Sequence, residues 1–257
     1  VADDLVNWQE ETGFDWKDRR PFRIGWFPLG ADVATFSPSR GLPANTEQTV
    51  AQIQSQPSFL MVGTIEPRKG YLQTIKAFSQ LWADGINVNL VIVGKEGWKH
   101  LPNNMRRDIP ETIDYLQKHP ELSQHLFWLE GISDEFLEKI YTASTCLIAA
   151  SYGEGFGLPL IEAAQHKLPI IARDIPVFHE VAGEYAFYFD GKTPDALAEK
   201  IEEWLILYEN DRHPRSDNMP WLTWKESAAR LVRILIEETH EGHGEQGEMT
   251  LKSGASL

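Results

Sequence analysis

Cysteine is almost missing: Cys146 stands alone among 257 residues. A lone cysteine allows no internal disulfide and no thiolate metal cluster, which fits a reducing cytoplasm. Set in TCLIAA, it reads as a buried strand residue and not as a nucleophile. Positive charge is scarce as well: 24 Lys and Arg stand against 38 Asp and Glu, for a net charge of −14. Such a chain repels a phosphate polymer on average, which argues against an electrostatic grip on nucleic acid or anionic lipid. No apolar run is long enough to span a bilayer, and no signal peptide precedes the first charges. No D-x-D occurs, so a metal bridging a carboxylate and a diphosphate has no evident ligands and none is expected.

What is present is a globular composition, 42% hydrophobic and 11% aromatic. The chain opens mid-pattern at Val1, so residues 1–21 are read as the remnant of a preceding region. Residues 22–239 are read as one domain. Residues 240–257, rich in Gly and Glu with no apolar period, are read as a flexible tail. His240 and His243 in that tail are expected to be solvated rather than metal-bound. Short apolar runs recur as strand candidates: FRIGWF, SFLMV, NLVIVG, LFWLEG, TCLIAA, PIIAR and AFYFD. Their bare hydrophobicity suits strands covered on both faces.

Helical stripes lie between them: Leu72, Ile75, Phe78, Leu81 and Trp82; Phe136, Leu137, Ile140 and Tyr141; Leu197, Ile201, Trp204, Leu205 and Tyr208. Ser133 and Thr193 are candidate N-caps, with Pro194 at a first helical position. The alternation predicts an α/β fold with a doubly wound parallel sheet. SPSRGLPANTEQTV reads as a connector. A closing helix is predicted in WLTWKESAARLVRILIEET, with Ala228, Leu231, Val232, Leu235 and Ile236 on one face packed on the sheet's flank or on another domain.

The chemistry concentrates in SYGEGFGLPLIEAAQHK, Ser151 to Lys167: a turn after a buried strand, then a helix with Pro159 near its start. Parallel α/β sheets bind ligands at the carboxyl ends of their strands. The first amides of a helix there face the ligand and favour an anion. A dinucleotide loop is one reading, with Asp174 as the ribose acid. Against it, Gly153, Gly155 and Gly157 run G-x-G-x-G, Glu154 would repel a pyrophosphate, and the stretch follows a late strand. The second reading pairs Glu154 with Glu162. A carboxylate accepts from two adjacent hydroxyls at once, as a sugar or ribose diol requires, and glycines let the backbone come close. As a plain alternative, Glu162 is a helix glutamate stabilised by the dipole. VGTIEPRKGYLQTIKAF places Arg68 and Lys69 at the mouth of the same sheet, where two cations can neutralise a diphosphate leaving group. Trp98, Trp128 and His179 read as structural.

These segments resemble retaining family 4 glycosyltransferases of the GT-B fold. EGFGLPLIE, Glu154 to Glu162, is similar to the family's E-x7-E motif, and GTIEPRKG, Gly63 to Gly70, to its phosphate loop. LEGISDEFLEKIYTASTCLIAAS, LPIIARDIPVFHEVAG and PWLTWKESAARLV follow in family order. WFPLGAD and AAQHKLPIIARDIPVF most resemble bacterial polysaccharide mannosyltransferases, such as those building polymannose O-antigens. The resemblance implies a Rossmann-like sheet that is the C-terminal, donor-binding half of a GT-B enzyme. It implies transfer of a sugar, mannose from GDP-mannose, to a polysaccharide or glycolipid, with no cofactor and the nucleotide-sugar as substrate. Glu154 would face the donor sugar; Gly155, Phe156, Gly157 and Leu158 would bind sugar and diphosphate through amides; Glu162 would hold the ribose.

Lys69 and Arg68 would stabilise the leaving diphosphate, beside Gly63 and Thr64 of the loop, and Gly131, Ile132 and Ser133 would read the base. Many members carry arginine where Thr64 stands, and Arg68 is the candidate substitute. The acceptor would be held mainly by an N-terminal domain absent from this chain, leaving the chain alone with weak or no transfer. The implied place is the cytoplasm, at the inner face of a bacterial membrane, with membrane contact only through missing parts or partner proteins. The rival functions are a dinucleotide-dependent oxidoreductase and a non-catalytic nucleotide-binding module.

Overall fold

A computed structural model describes residues 7–8, 11–13, 23–31, 40–236 and 248–250. Strand and helix alternate along it. The first elements are β1 (Arg23–Gly25), α1 (Thr46–Gln54), β2 (Ser58–Val62) and α2 (Tyr71–Ala83). Next come β3 (Asn89–Val93), α3 (Ile109–Lys118), β4 (Leu126–Leu129) and α4 (Asp134–Ala143). They are followed by β5 (Cys146–Ala149), α5 (Leu158–Gln165), β6 (Ile170–Arg173) and α6 (Pro176–Ala182). The last are β7 (Phe187–Phe189), α7 (Pro194–Glu209), α8 (Trp224–Ile236) and β8 (Glu248–Thr250).

These elements form two compact units, residues 34–220 and residues 1–33 with 221–257. The larger unit is built on a six-stranded sheet in the order β4-β3-β2-β5-β6-β7, all parallel. Every residue of β3, β5 and β6 is buried, as bare apolar runs covered on both faces should be. Cys146 lies fully inside β5. The helical stripes turn inward at Ile75, Phe78 and Leu81 of α2, Phe136, Ile140 and Tyr141 of α4, and Leu197, Ile201 and Trp204 of α7, whereas Tyr208 at the end of the α7 stripe is exposed. Phe59 of β2 meets Phe78 and Trp204 edge-on, at 5.4 and 5.5 Å between ring centroids. Ser133 and Thr193 cap their helices, accepting from the amides of Phe136 and Ala196. β3 and β4 extend the sheet on one side of β2, whereas β5 to β7 extend it on the other. The strand order therefore reverses between β2 and β5, where such sheets open a crevice.

Several expectations need adjusting. The segment read as a connector runs from Thr46 into α1, and Thr46, Thr49 and Ile53 of that helix are buried. Polar residues on the buried face hide that helix from a hydrophobic count. Helix α3 was not anticipated, although Ile109, Ile113 and Leu116 recur at helical spacing. FRIGWF contributes only β1, which pairs antiparallel with β8 in a two-stranded sheet of the smaller unit. Part of the presumed tail is thus a strand; His240 and His243 lie outside the described residues. In the same unit the amide of Ala31 donates to the Leu222 carbonyl at 3.0 Å, and Ser227 Oγ to the Pro28 carbonyl at 2.7 Å. In α8, Ala228, Val232, Leu235 and Ile236 are exposed, as the second expected placement, against another domain, requires.

Candidate active site

The loops after β2 and β5 face each other across the reversal point. After β2 the chain makes a polar loop and enters α2 through Gly70, which has φ +72°. A Cβ on Gly70 would stand 2.4 Å from the Ala150 carbonyl oxygen, so glycine is what lets the start of α2 close on the end of β5. That approach brings Arg68 and Lys69 to the turn that carries Glu154. The Lys69 ammonium contacts Glu154 Oε1, which also accepts from Ser151 Oγ at 2.8 Å. Arg68 Nη1 donates to Glu154 Oε2 at 2.5 Å and to the Gly153 carbonyl at 3.2 Å. Arg68 Nε is also 3.2 Å from Glu66. Burial alone would raise the Glu154 pKa. The hydrogen bonds from Lys69 and Ser151, with the Lys69 charge and the Arg68 bond, outweigh burial and hold it below the usual range.

Glu162 has a different environment. It lies on α5 and accepts from Tyr141 Oη at 2.6 Å. Tyr141 in turn stacks on His166, 4.9 Å between centroids, and His166 Nε2 is 3.1 Å from Glu138. Burial pushes the Glu162 pKa up, against the lowering effect of the Tyr141 bond. Lys69 lowers both carboxylates electrostatically, so Glu154 and Glu162 share one field. At the head of α5, Gly157 has φ +88°, and a Cβ there would come within 3.0 Å of the Phe178 ring. Among the described residues the amides of Gly155, Phe156 and Gly157 donate no hydrogen bond to another group. They are free for a ligand, next to the half-buried Leu158.

The remaining predicted residues flank this centre. Gly63 has φ +134° and its carbonyl accepts from buried Tyr71 Oη at 2.6 Å; a Cβ on it would lie 3.8 Å from Lys69 Nζ. Thr64 is exposed, with its methyl directed toward Gly97. Gly131, exposed at φ +62°, follows β4, with Lys95 Cε 3.2 Å from where its Cβ would be. Ile132 is half-buried. Buried Ser133 has its hydroxyl on the Gly41 carbonyl at 2.8 Å and on its capping bond, and its carbonyl accepts from the amides of Phe136 and Leu137. Asp174, the ribose acid of the dinucleotide reading, pairs with His179 at 2.8 Å, and His179 stacks on Tyr188. Trp128 donates to the Gly94 carbonyl at 2.9 Å.

Sequence reasoning missed Tyr71, Tyr141 and Lys95. Tyr71 directly follows the glycine of the phosphate loop, and Tyr141 sits on an apolar stripe where it looked like simple core. Among the described residues no group of three or more His, Cys, Asp or Glu is placed to hold a metal ion. None of their helices is long and apolar enough to cross a membrane.

Residues 45–218 match the family model described as glycosyl transferases group 1. The chain is 50% identical over 235 residues to the serotype-specific mannosyltransferase WbdA of Escherichia coli. That alignment covers 91% of this chain but only 28% of the relative's length. Among solved structures, sucrose-phosphate synthase of Thermosynechococcus elongatus superposes with a TM-score of 0.61 at 22% identity, over 83% of this chain and 52% of that one. The C-terminal domain of a group 1 family protein, LpcC of Francisella tularensis, superposes with a TM-score of 0.53 at 20% identity. It is covered over 98% of its length by 79% of this chain.

Proposed function

The chain belongs to the group 1 glycosyl transferases, and from that premise we propose that it is the donor-binding half of a retaining mannosyltransferase using GDP-mannose. The observation that carries this reading is the Glu154 carboxylate held between Lys69 and Arg68 at the sheet's reversal point. The extent of the likeness to WbdA supports mannose as the sugar.

In this reading the donor diphosphate lies against Lys69, Arg68 and the free amides at the head of α5. The dipole and unpaired N–H groups there favour an anion. When the bond between the sugar's anomeric carbon and the diphosphate breaks, negative charge grows on the leaving phosphate and positive charge on the sugar ring. The two cations stabilise the first, and ionised Glu154 stabilises the second. Glu162, with one oxygen on Tyr141, offers the other to the ribose diol. Gly131 to Ser133 face the base through their backbone. No metal is required, because the cations and the helix start meet the diphosphate charge. The acceptor, a saccharide or glycolipid, is held mainly by polypeptide outside this chain. The reaction takes place on the cytoplasmic side of a bacterial membrane, with contact to the bilayer made by other segments or partner proteins.

Calorimetric titration of the chain with GDP, UDP, ADP and NADH, with and without magnesium, tests this reading. Binding of GDP above the others, unaffected by magnesium, is the expected result. Preference for UDP would discard mannose, and binding of NADH alone would discard the transferase site.

A further inference from the structure

Tyr141 is a phenol at a position of α4 where packing asks only for an apolar ring. It is 2% exposed and lies in one stripe with buried Phe136 and Ile140. A buried hydroxyl is costly unless it finds a partner. Among the described residues this one donates to a single acceptor, Glu162 Oε2, at 2.6 Å. Burial, and after it the Glu162 charge, push the phenol well above its usual pKa, so it stays protonated and keeps donating.

The ring is held from its other side. Glu162 and His166 stand four residues apart, on one face of α5 and its C-cap. Tyr141 reaches both: its hydroxyl meets the carboxylate, and its ring stacks on the imidazole with 4° between the planes. His166 Nε2 in turn is 3.1 Å from Glu138, which precedes Tyr141 by three residues on α4. Two links therefore join α4 to α5. The outer one, His166 to Glu138, is open to water and holds little energy. The inner one carries the buried phenol and fixes one oxygen of Glu162.

Among the described residues no other side chain or amide donates to that carboxylate. Lys69 is bonded to Glu154 and acts on Glu162 through its charge alone. A glutamate without such an anchor samples several staggered rotamers, and ordering it on a ligand costs entropy. We propose that Tyr141 is a positioning residue for the nucleotide: it pins Glu162 Oε2, so that Oε1 stands ready for the 2′- and 3′-hydroxyls of the ribose. This role rests on the reading that Glu162 holds the ribose. Oε1 has a lone pair for each hydroxyl, and Tyr141 takes neither. His166 serves the same end one step removed, by keeping the phenol ring in place.

The test is calorimetry of the chain with GDP and with 2′,3′-dideoxy-GDP, in wild type, Tyr141→Phe and His166→Ala, beside thermal unfolding of each. Wild type is expected to bind GDP about tenfold more tightly than the dideoxy form. Tyr141→Phe keeps the stacked ring and loses only the hydroxyl. It should weaken GDP roughly three- to tenfold and leave dideoxy-GDP nearly unchanged. His166→Ala should give a smaller loss, again confined to GDP, and decides the question should Tyr141→Phe fail to fold. Equal weakening of both nucleotides would show a merely structural role and overturn the proposal, as would GDP binding untouched by Tyr141→Phe. A wild type indifferent to the ribose hydroxyls would instead refute the ribose role of Glu162, and the positioning role would fall with it.

Discussion

Replacing Glu154 by glutamine should make the chain less stable and, at the same time, a better binder of GDP. The Glu154 side chain is 9% exposed, Lys69 15% and Arg68 48%. The Arg68 pair is half in water and adds about 0–1 kcal/mol. Stranding one partner of a well-buried pair costs about 3–5 kcal/mol. Glutamine keeps an acceptor for Lys69 or Ser151, so the net loss should be about 1–3 kcal/mol. For a domain of this size that lowers Tm by about 2–12 °C. GDP acts the other way. A carboxylate about 6 Å from the diphosphate repels it by about 3 kcal/mol at an effective dielectric of about 20, reduced by salt to roughly 1 kcal/mol. Its removal should tighten GDP about fivefold.

The pH dependence of Glu154→Gln follows in sign. The folded-state pKa of Glu154 is lowered, so its contribution is present above the ordinary glutamate range and is lost as pH falls through the lowered value. The stability gap between wild type and variant should therefore close on acidification. Thermal unfolding at neutral and acid pH, with and without GDP, measures all three effects. A variant as stable as the wild type, or one that binds GDP more weakly, would refute the reasoning.

Lys69→Met should do the opposite for the ligand, weakening GDP roughly ten- to hundredfold by loss of a charge-assisted contact, as calorimetry would show. Glu162→Gln should weaken GDP by about tenfold if the free oxygen serves the ribose. The raised pKa of Glu162 means its ionisation costs the folded state stability. That cost begins as pH passes the unfolded value and is complete above the folded one. Glu162→Gln should therefore be at least as stable as wild type at neutral pH, with any advantage vanishing in acid; urea unfolding at two pH values checks this. Gly70→Ala places a methyl 2.4 Å from the Ala150 carbonyl on a left-handed residue, and should cost about 2 kcal/mol or more by the same unfolding assay.

The parallel sheet was legible because its strands are uninterrupted apolar runs, which only a two-sided cover explains. The glycine–glutamate turn was legible as well: a carboxylate between glycines at a strand end has few structural uses. What escaped depends on contacts across the sheet. Arg173 ends the strand run PIIAR and looks like a solvated terminus, yet it is buried under Tyr152 through bonds to residues far along the chain. Tyr141 shows only its apolar half in a helical stripe; its bond to Glu162 arises because α4 and α5 pack near β5. The closing helix had the right period, but periodicity says which residues share a face, not whether that face is covered.

The smaller unit is stitched from segments that the whole larger unit separates: β1 pairs with β8, and Gly30 bridges to Leu222. Such pairings cannot form while the chain between them is loose, since closing so long a loop costs entropy before any contact rewards it. During synthesis β1 can therefore pair with β8 only after β8 has been made. Folding of the sheet-bearing unit would shorten that loop. In hydrogen exchange, the amides of β1 and Ala31 should then open at lower free energy than those of β3 or β5.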